Sequence, residues 1–345
     1  MLPEFQEDLR KIRSSEIILA KIVRLRYIAF TFFIRYVGIR VALTTVKRVL
    51  TFSALLILAG LTSAVAGTTF EVQPSPTPAD ENSHDLFSYE TTYTFDSDFK
   101  ESKLGHGDSL YNDFSYDHRF LITGKWYLRL GVEYERRDFN GTDNGLPDKL
   151  QALYGHIAYE YVVKDFPGAG IELDPGVYFQ EHINGDAFDI PTKVFVSFPL
   201  KKDKVFAVVG LGWSLYQDPP VAPGGGIIWV INDKLRLQGV FPKPALIYEP
   251  NDDWQLKLIG ELNYTSFRTD DVVSHTEQKL NLHDAVLQYS EYLAGTQIGY
   301  TGIKHLKLIA GAGATIERDF DFFRAHQSKR TDPAPYVRVS AELKF

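Results

Sequence analysis

The sequence WYLRLGVEYE at residues 126–135 decides the fold, because nearly every second residue along it is apolar. Its apolar side carries Trp126, Leu128, Leu130, Val132 and Tyr134. Its other side carries Arg129, Glu133 and Glu135. Successive side chains of a strand point to opposite faces, so this period of two predicts a β-strand with one apolar and one charged face.

Two further segments show the same alternation. The segment 254–264 places Lys257 and Glu261 on its polar side, and the segment 337–345 places Arg338, Glu342 and Lys344 there. In a membrane barrel the apolar faces meet lipid and the charged faces line the interior, whereas a soluble barrel reverses the two faces. For a membrane barrel, the lumen-lining candidates are Arg129, Glu133, Glu135, Lys257, Glu261, Arg338, Glu342 and Lys344.

Turn signals divide the rest of the chain into about fourteen strands. We predict strands near 87–97, 109–121, 126–137, 150–163, 170–181, 191–200, 204–216, 223–231, 234–241, 244–248, 254–267, 284–300, 304–319 and 335–345. Short connections alternate with long ones, which is typical of a barrel with short periplasmic turns and long external loops. The exception is the short Pro242-Lys243-Pro244 connection, where a long one is expected. If residues 234–248 do not form a full hairpin, the count falls to twelve.

An export signal precedes this region. The basic pair 47–48 is followed by a largely apolar stretch, 49–61, and then by the small residues Ala64 and Ala66. Such an order is typical of a secretory signal peptide. The apolar stretch is too short for a membrane span, which needs about 20 residues. We predict cleavage between Ala66 and Gly67.

These signals divide the chain into three parts. Residues 1–66 form an N-terminal extension plus signal peptide, residues 67–85 a proline-rich linker, and residues 86–345 the barrel. The extension before the signal is either real or the product of a start placed too far upstream. Residues 1–66 hold ten Lys/Arg and four Asp/Glu, so a total charge of −7 leaves −13 on residues 67–345. A body this acidic argues against nucleic acid as a partner.

The C-terminus resembles the signature by which Gram-negative outer-membrane proteins are recognised for barrel assembly. Its residues are Val337, Val339, Ala341, Leu343 and the terminal Phe345. The segments 237–244 and 308–313 also resemble an uncharacterised family of predicted outer-membrane barrels. The resemblance implies an all-β, antiparallel transmembrane barrel of about 12–14 strands in the outer membrane. It implies membrane lipid and the secretion and barrel-assembly machinery as partners, and it carries no known activity.

The sequence offers little for catalysis or for a cofactor. It contains no cysteine, no P-loop, no Gly-x-Ser-x-Gly motif and no His-Glu-x-x-His motif. A hydrolase would need a serine and a histidine within hydrogen-bond reach. The candidates for such a site are Ser274, His275, His283, Asp284 and Ser290. We expect no catalytic, cofactor-binding or metal site, and no enzymatic activity.

The expected function is that of a passive, porin-like channel for small solutes. About eight strands give an interior filled by side chains, and 16–18 leave an open channel, so twelve to fourteen imply a narrow or partly plugged pore. Three alternatives stay open. They are a structural or surface-binding barrel that uses the loops 268–283 and 320–334, a barrel-borne hydrolase, and a soluble secreted β-protein.

Overall fold

The computed structural model describes residues 83–100, 105–140, 146–163, 166–270, 272–273 and 281–345. The strands are β1 (Ser83–Asp98), β2 (His106–Thr123), β3 (Trp126–Phe139), β4 (Lys149–Val163), β5 (Phe166–Leu173), β6 (Gly176–Phe179), β7 (Phe188–Asp189), β8 (Thr192–Lys201), β9 (Val205–Trp213), β10 (Val221–Asn232), β11 (Leu235–Phe241), β12 (Ala245–Asn251), β13 (Trp254–Arg268), β14 (Val272–Val273), β15 (Asn281–Leu282), β16 (Val286–Ile303), β17 (Leu306–Phe322), β18 (Gln327–Arg330) and β19 (Ala334–Lys344). The predicted extension and signal peptide lie outside the described residues, as does most of the linker. Within the described part of the chain, no helix is long and apolar enough to cross a membrane.

Fourteen strands of the described chain form an antiparallel wall that closes on itself. Strand β1 closes the wall by pairing with both β2 and β19. At this seam the amide of Asp85 donates to the carbonyl of Phe345, and the amide of Phe345 donates to the carbonyl of Asp85, each at 3.0 Å. Strands β5 and β6 count as one wall strand, because both pair with β4. The prediction of an all-β antiparallel barrel of 12–14 strands is confirmed.

The two ends of the barrel differ in their connections. Tight turns join the strands at one end, at 123–126, 201–205, 232–235, 251–254 and 303–306. The positive φ of Gly124, 58°, suits the first of these turns. The long connections lie at the opposite end, which we call the outer end, since external loops of such barrels are the long ones. The hairpin of β11 and β12 does form, so the count is fourteen rather than twelve.

Outward-facing side chains give the barrel an apolar belt. Leu130, Leu258 and Val339 are 39%, 47% and 56% exposed on the bare surface. Near the tight turns, Trp126 stacks on Tyr159 with ring centroids 4.8 Å apart. An apolar outer band edged by aromatic residues is typical of outer-membrane barrels. A soluble barrel would bury these side chains instead, so the soluble alternative is wrong.

The wall has a step, because the hairpin of β11 and β12 ends early. Strand β12 pairs with β13 only as far as Ile259. Beyond Ile259, the connection between β11 and β12 forms the hydrogen bonds to β13. The carbonyl of Pro244 accepts the amide of Gly260 at 2.9 Å, and the carbonyl of Pro242 accepts the amide of Leu262 at 3.0 Å. Strand β13 then continues toward the outer end without β12.

Toward the outer end, β13 crosses over to β6 and narrows the barrel. Arg268 pairs in parallel with Phe179, and the amide of Gln180 donates to the carbonyl of Arg268 at 3.0 Å. A bridge between Phe99 and Thr331 closes the other side. Among the described residues, these pairings together close a ring of nine strands: β1, β2, β3, β4, β6, β13, β16, β17 and β18. Because barrel diameter grows roughly linearly with strand number, this ring is about two thirds as wide as the fourteen-strand base.

Candidate functional site: the barrel interior

Apolar side chains fill the interior of the nine-strand ring. We call these residues the outer cluster: Phe99, Phe139, Leu146, Leu150, Ala152, Tyr154, Tyr178, Phe267, Leu287, Tyr289, Phe320 and Phe322. Their contacts cross the ring. The ring centroid of Phe139 on β3 lies 5.4 Å from that of Tyr289 on β16 and 5.0 Å from that of Phe320 on β17. Phe320 and Tyr289 are each 1% exposed. The outer cluster therefore closes the barrel axis at the outer end.

Between this cluster and the end with the tight turns lies a set of charged side chains. We call it the inner network: Asp113, Asp117, Arg119, Arg129, Glu133, Glu135, Arg137, His156, Glu160, Glu172, Asp174 and Lys193. His156 stands between two carboxylates, with Nδ1 2.9 Å from Asp174 Oδ1 and Nε2 2.8 Å from Glu133 Oε2. The ammonium of Lys193 on β8 lies 2.6 Å from Glu172 and 3.0 Å from Asp174. The network thus ties β3 and β4 to β5 and β8.

Arg129 joins the lower part of the inner network. Its guanidinium contacts the carboxylates of Glu172, of Glu160 at 3.2 Å and of Asp117 at 3.4 Å. Arg119 donates to the same Glu160 at 2.5 Å. A guanidinium offers five donors in a planar fork, so one arginine can serve several carboxylates at once.

The inner network holds more carboxylates than cations. Its acids are Asp113, Asp117, Glu133, Glu135, Glu160, Glu172 and Asp174. Its bases are Arg119, Arg129, Arg137, Lys193 and His156. A surplus of acidic groups in a wall of low dielectric attracts cations and repels anions.

A second polar group links β19 to β13. The guanidinium of Arg338 lies 2.7 Å from Glu261 and 3.1 Å from Glu90, and it donates to the hydroxyl of Thr92 at 2.9 Å. Lys243, from the tight connection between β11 and β12, reaches Glu261 at 3.0 Å. The unexpected short connection therefore brings a cation into the barrel.

The structure brings five of the eight lumen-lining candidates into these two groups: Arg129, Glu133, Glu135, Glu261 and Arg338. The other three lie at inward positions closer to the tight turns: Lys257, Glu342 and Lys344. Glu342 lies 3.0 Å from Lys307 on the neighbouring strand. Contact of any of these side chains with a solute stays a prediction.

Sequence reasoning missed several members of the interior. His156 lies on β4, whose inward positions also hold Ala152, Tyr154 and Ala158, so that this face does not read as charged in the sequence. Lys193 follows a connection with no periodicity, and Lys243 lies in a turn, where the two-residue period does not apply. A charge between two prolines, as in Pro242-Lys243-Pro244, was the one available signal for Lys243.

Three groups of described residues have the chemistry of metal ligands. They are His156, Glu172 and Asp174; Asp113, Glu133 and Glu135; and Glu181, His182 and Asp270. A lysine or arginine already serves each group. Lys193 bridges two carboxylates of the first group, Arg137 lies 2.6 Å from Glu135 of the second, and Lys149 lies 2.7 Å from Glu181 of the third. We assign none of them to a metal.

The structure describes three of the five residues of the hydrolase alternative: His283, Asp284 and Ser290. Ser290 is a wall residue on β16, opposite Tyr264 of β13. Asp284 lies in the connection before β16 and accepts a hydrogen bond from Asn184 at 2.9 Å. Ser274 and His275 lie outside the described residues. The geometry therefore gives no support to a serine hydrolase.

A closed antiparallel wall, an apolar outer belt and a charged interior satisfy the two requirements of a membrane-spanning β-structure. As far as the structure describes the fourteen-strand wall, no backbone edge is left open to lipid, and the polar side chains face away from lipid. This chain is an outer-membrane β-barrel protein.

Comparisons with known proteins add little to this assignment. No protein-family model matches the chain, and no curated protein matches it. Among solved structures, it is similar to an outer-membrane channel from Pseudomonas putida F1, with 10% identity and a TM-score of 0.41 over 78% of this chain and 99% of that one. It is also similar to the Pseudomonas putida toluene transporter TodX, with 10% identity and a TM-score of 0.34 over 81% of this chain and 95% of that one. A FadL homologue from Pseudomonas aeruginosa gives 11% identity and a TM-score of 0.31 over 81% and 96%. Likeness at this level carries no argument about solutes.

Proposed function

We propose that this barrel is a passive, narrow channel for small solutes and that the structure represents its closed state. The observation that carries the proposal is the solvent contact of charged side chains beneath the outer cluster. The side chains of Arg129 and Lys243 are 24% and 30% exposed, whereas Phe320 in the outer cluster is 1% exposed. Charged groups that keep contact with solvent inside a closed wall line a hydrated space.

The width of the base supports the same function. A barrel of about eight strands is filled by its own side chains, whereas this base has fourteen. The additional width exceeds what a structural barrel requires. We also propose that the apolar belt contacts outer-membrane lipid. The outward residues Val337, Val339, Ala341, Leu343 and Phe345 would then be the edge that the barrel-assembly machinery recognises.

Planar-bilayer conductance tests the channel. The purified full-length protein should give small conductance steps in KCl. Phe139→Ala should enlarge them, because it removes the ring that contacts both Tyr289 and Phe320 across the axis. Val132→Ala on the lipid-facing side of the same strand is the matched control and should leave the conductance unchanged.

The outer cluster also favours a second function, a structural or surface-binding barrel without transport. A barrel that transports no solute is expected to have tightly packed side chains in its outer ring, with almost no solvent exposure. The same recordings decide between the two functions. If neither the wild type nor folded Phe139→Ala conducts, the channel is wrong and the closed barrel stands.

A further inference from the structure

The nine-strand ring has a break along one edge of β13. The amide of Leu262 is bonded to Pro242, and the carbonyl of Arg268 is bonded to Gln180. Between these two points the other edge of β13 pairs with β16 throughout. In the described residues, no strand pairs with the free edge between Leu262 and Arg268.

A small cavity lies at this break. Its volume is about 40 Å³, which is room for about three water molecules. Tyr264 and Ser266 line it, and in a strand they face the opposite way from Thr265, which also lines it. At the inner side the lining includes Glu135, Asp174 and Lys193 of the inner network, together with Tyr154 and Tyr178 of the outer cluster. The cavity therefore reaches through the ring, from its outward face to the charged interior.

Three polar groups at this cavity lack a hydrogen-bond partner within the described chain. They are Nε2 of Gln217, the hydroxyl of Tyr264 and the hydroxyl of Ser266. The three residues are only 5%, 7% and 8% exposed. Buried polar side chains are hydrogen-bonded in the large majority of cases, so three orphans at one cavity indicate a polar occupant.

The chemistry of the orphans indicates which occupant. An amide and two hydroxyls are uncharged and together offer both donors and acceptors. The charged groups at the inner side are already paired, Lys193 with Glu172 and Asp174, and Glu135 with Arg137. A charged solute would have to compete with these pairs, whereas an uncharged polar solute would bind the orphans and leave the pairs intact.

The connection between β9 and β10, residues 214–220, covers the cavity. The hydroxyl of Ser214 donates to Asp189 at 2.6 Å, on one side of the break. On the other side the amide of Asp218 donates to the side-chain oxygen of Gln288 at 3.0 Å. Gln288 is paired with Ser266 and faces away from the outer cluster. The cover is thus held by two polar attachments, one on each side of the break.

We infer that the break is a side passage for small uncharged polar solutes of the size of urea or glycerol. They enter beneath the 214–220 connection and pass Tyr154 and Tyr178 at the edge of the outer cluster. They reach the inner network without crossing the contacts of Phe139 with Tyr289 and Phe320 at the axis. The inference rests on the proposed channel function and specifies its route and its solute class. The cavity holds only a few waters, so passage requires displacement of the 214–220 connection.

Swelling of proteoliposomes in isosmotic urea or glycerol tests the route. Ser266→Phe places a phenyl ring in the break and should lower the swelling rate about tenfold. In free energy, a tenfold decrease corresponds to the loss of one hydrogen bond or more. Tyr292→Phe removes a tyrosine hydroxyl from the same face of the wall, outside the cavity, and should match the wild type. Heat-modifiable migration verifies that each variant is folded.

A second variant covers the case in which Ser266→Phe does not fold. Tyr264→Phe combined with Gln217→Leu keeps the approximate shape of the cavity and removes two of the three orphans. It should slow urea and glycerol uptake by a similar factor and leave the single-channel conductance in KCl within twofold of the wild type.

The outcomes separate the route from the channel. If Ser266→Phe or the double variant swells as fast as the wild type, the side passage is wrong and the channel stands. If Phe139→Ala restores uptake in the blocked variant, the axis and the break are separate routes and the inference is supported. If the wild type takes up neither solute and conducts no ions, the channel and the side passage fail together.

Discussion

The outer cluster and the inner network are built from inward positions of the same strands, yet one is dry and the other is charged. Strand β3 supplies Phe139 to the outer cluster and Arg129 and Glu133 to the inner network. The difference follows the circumference of the wall. Where nine strands close the ring, aromatic side chains reach one another across the axis. Where fourteen strands surround the interior, the side chains are charged, and those of Arg129 and Lys243 keep 24% and 30% of their surface exposed.

The two regions also depend on different forces. The outer cluster gains stability from apolar surface removed from water and from close packing. The inner network gains little net stability from its ion pairs, because desolvation offsets their attraction. Its members nevertheless depend on one another, since a buried charge that loses its partner is left uncompensated. This contrast leads to three predictions, in order of decreasing effect.

The largest effect is expected when a buried ion pair is broken. Arg338→Met leaves Glu90 without its arginine and leaves the buried Glu261 with Lys243 alone. Because Lys243 is 30% exposed and replaces only part of the buried arginine's charge, the variant should lower the free energy of unfolding by about 3–5 kcal/mol. In the outer cluster, Phe320→Leu keeps an apolar side chain of similar volume and should cost about 1 kcal/mol. Urea unfolding in lipid vesicles measures both.

The double variant Arg338→Met with Glu261→Gln is the control for this pair. It removes the charge of Glu261, which Lys243 alone would otherwise serve, and should recover part of the loss. If Phe320→Leu destabilises the barrel more than Arg338→Met does, the outer cluster is more sensitive than the second polar group, which Arg338 forms with Glu261 and Glu90. The contrast between the apolar and the charged parts of the interior is then wrong.

A second prediction concerns the two faces of the wall. Leu258→Arg puts a charge on the lipid-facing side near mid-membrane and should lower the free energy of unfolding by about 2–4 kcal/mol. Arg129→Ala should cost about 1 kcal/mol, because the Arg129 side chain is partly hydrated and its carboxylates keep other cations nearby. Lys193 stays beside Glu172, and Arg119 stays beside Glu160.

The same vesicle-based unfolding experiment measures these two variants. Equal losses would show that the charged face carries as much of the stability as the lipid face does. The inner network would then be a structural core rather than the lining of a hydrated space, and the closed-barrel alternative would gain weight.

The smallest effect is expected in ion selectivity. If the barrel conducts ions, the channel should prefer cations, because residues 67–345 carry a net charge of −13 and the inner network has more acidic than basic residues. Charges around the mouth act over about 30 Å at 0.01 M salt and about 3 Å at 1 M. Reversal potentials in asymmetric KCl should therefore show a preference that declines with salt but does not vanish.

The residual preference at high salt is what the inner network adds. Charges inside the wall are screened much less than charges at the mouth. A preference that disappears at 1 M salt would limit the selectivity to the surface acids. An anion preference would contradict both sources and would place the arginines and lysines of the interior in control of passage.

The sequence by itself determined the strands and their two faces. The period of two in residues 126–135 is a local property, because each side chain's direction follows from the backbone of its own strand. The alternation of short and long connections, together with this period, predicted an antiparallel barrel of about 12–14 strands. The export signal and the C-terminal resemblance, rather than the period, favoured inward charges such as Arg129 and Glu261. The closure of the barrel interior by the outer cluster could not be predicted from this period.

Only the tertiary structure decided how the inward side chains meet. The pairing of Arg268 with Phe179 joins strands that are far apart in the chain, and together with the bridge between Phe99 and Thr331 it converts the outer end into a nine-strand ring. The sequence around these two residues does not indicate this contact, because almost any residue can form a backbone hydrogen bond. The same holds for Lys243, whose turn position hides its contact with Glu261, and for the cavity at Tyr264 and Ser266. Periodicity sets the direction of a side chain, whereas the circumference of the closed wall sets what that side chain can reach.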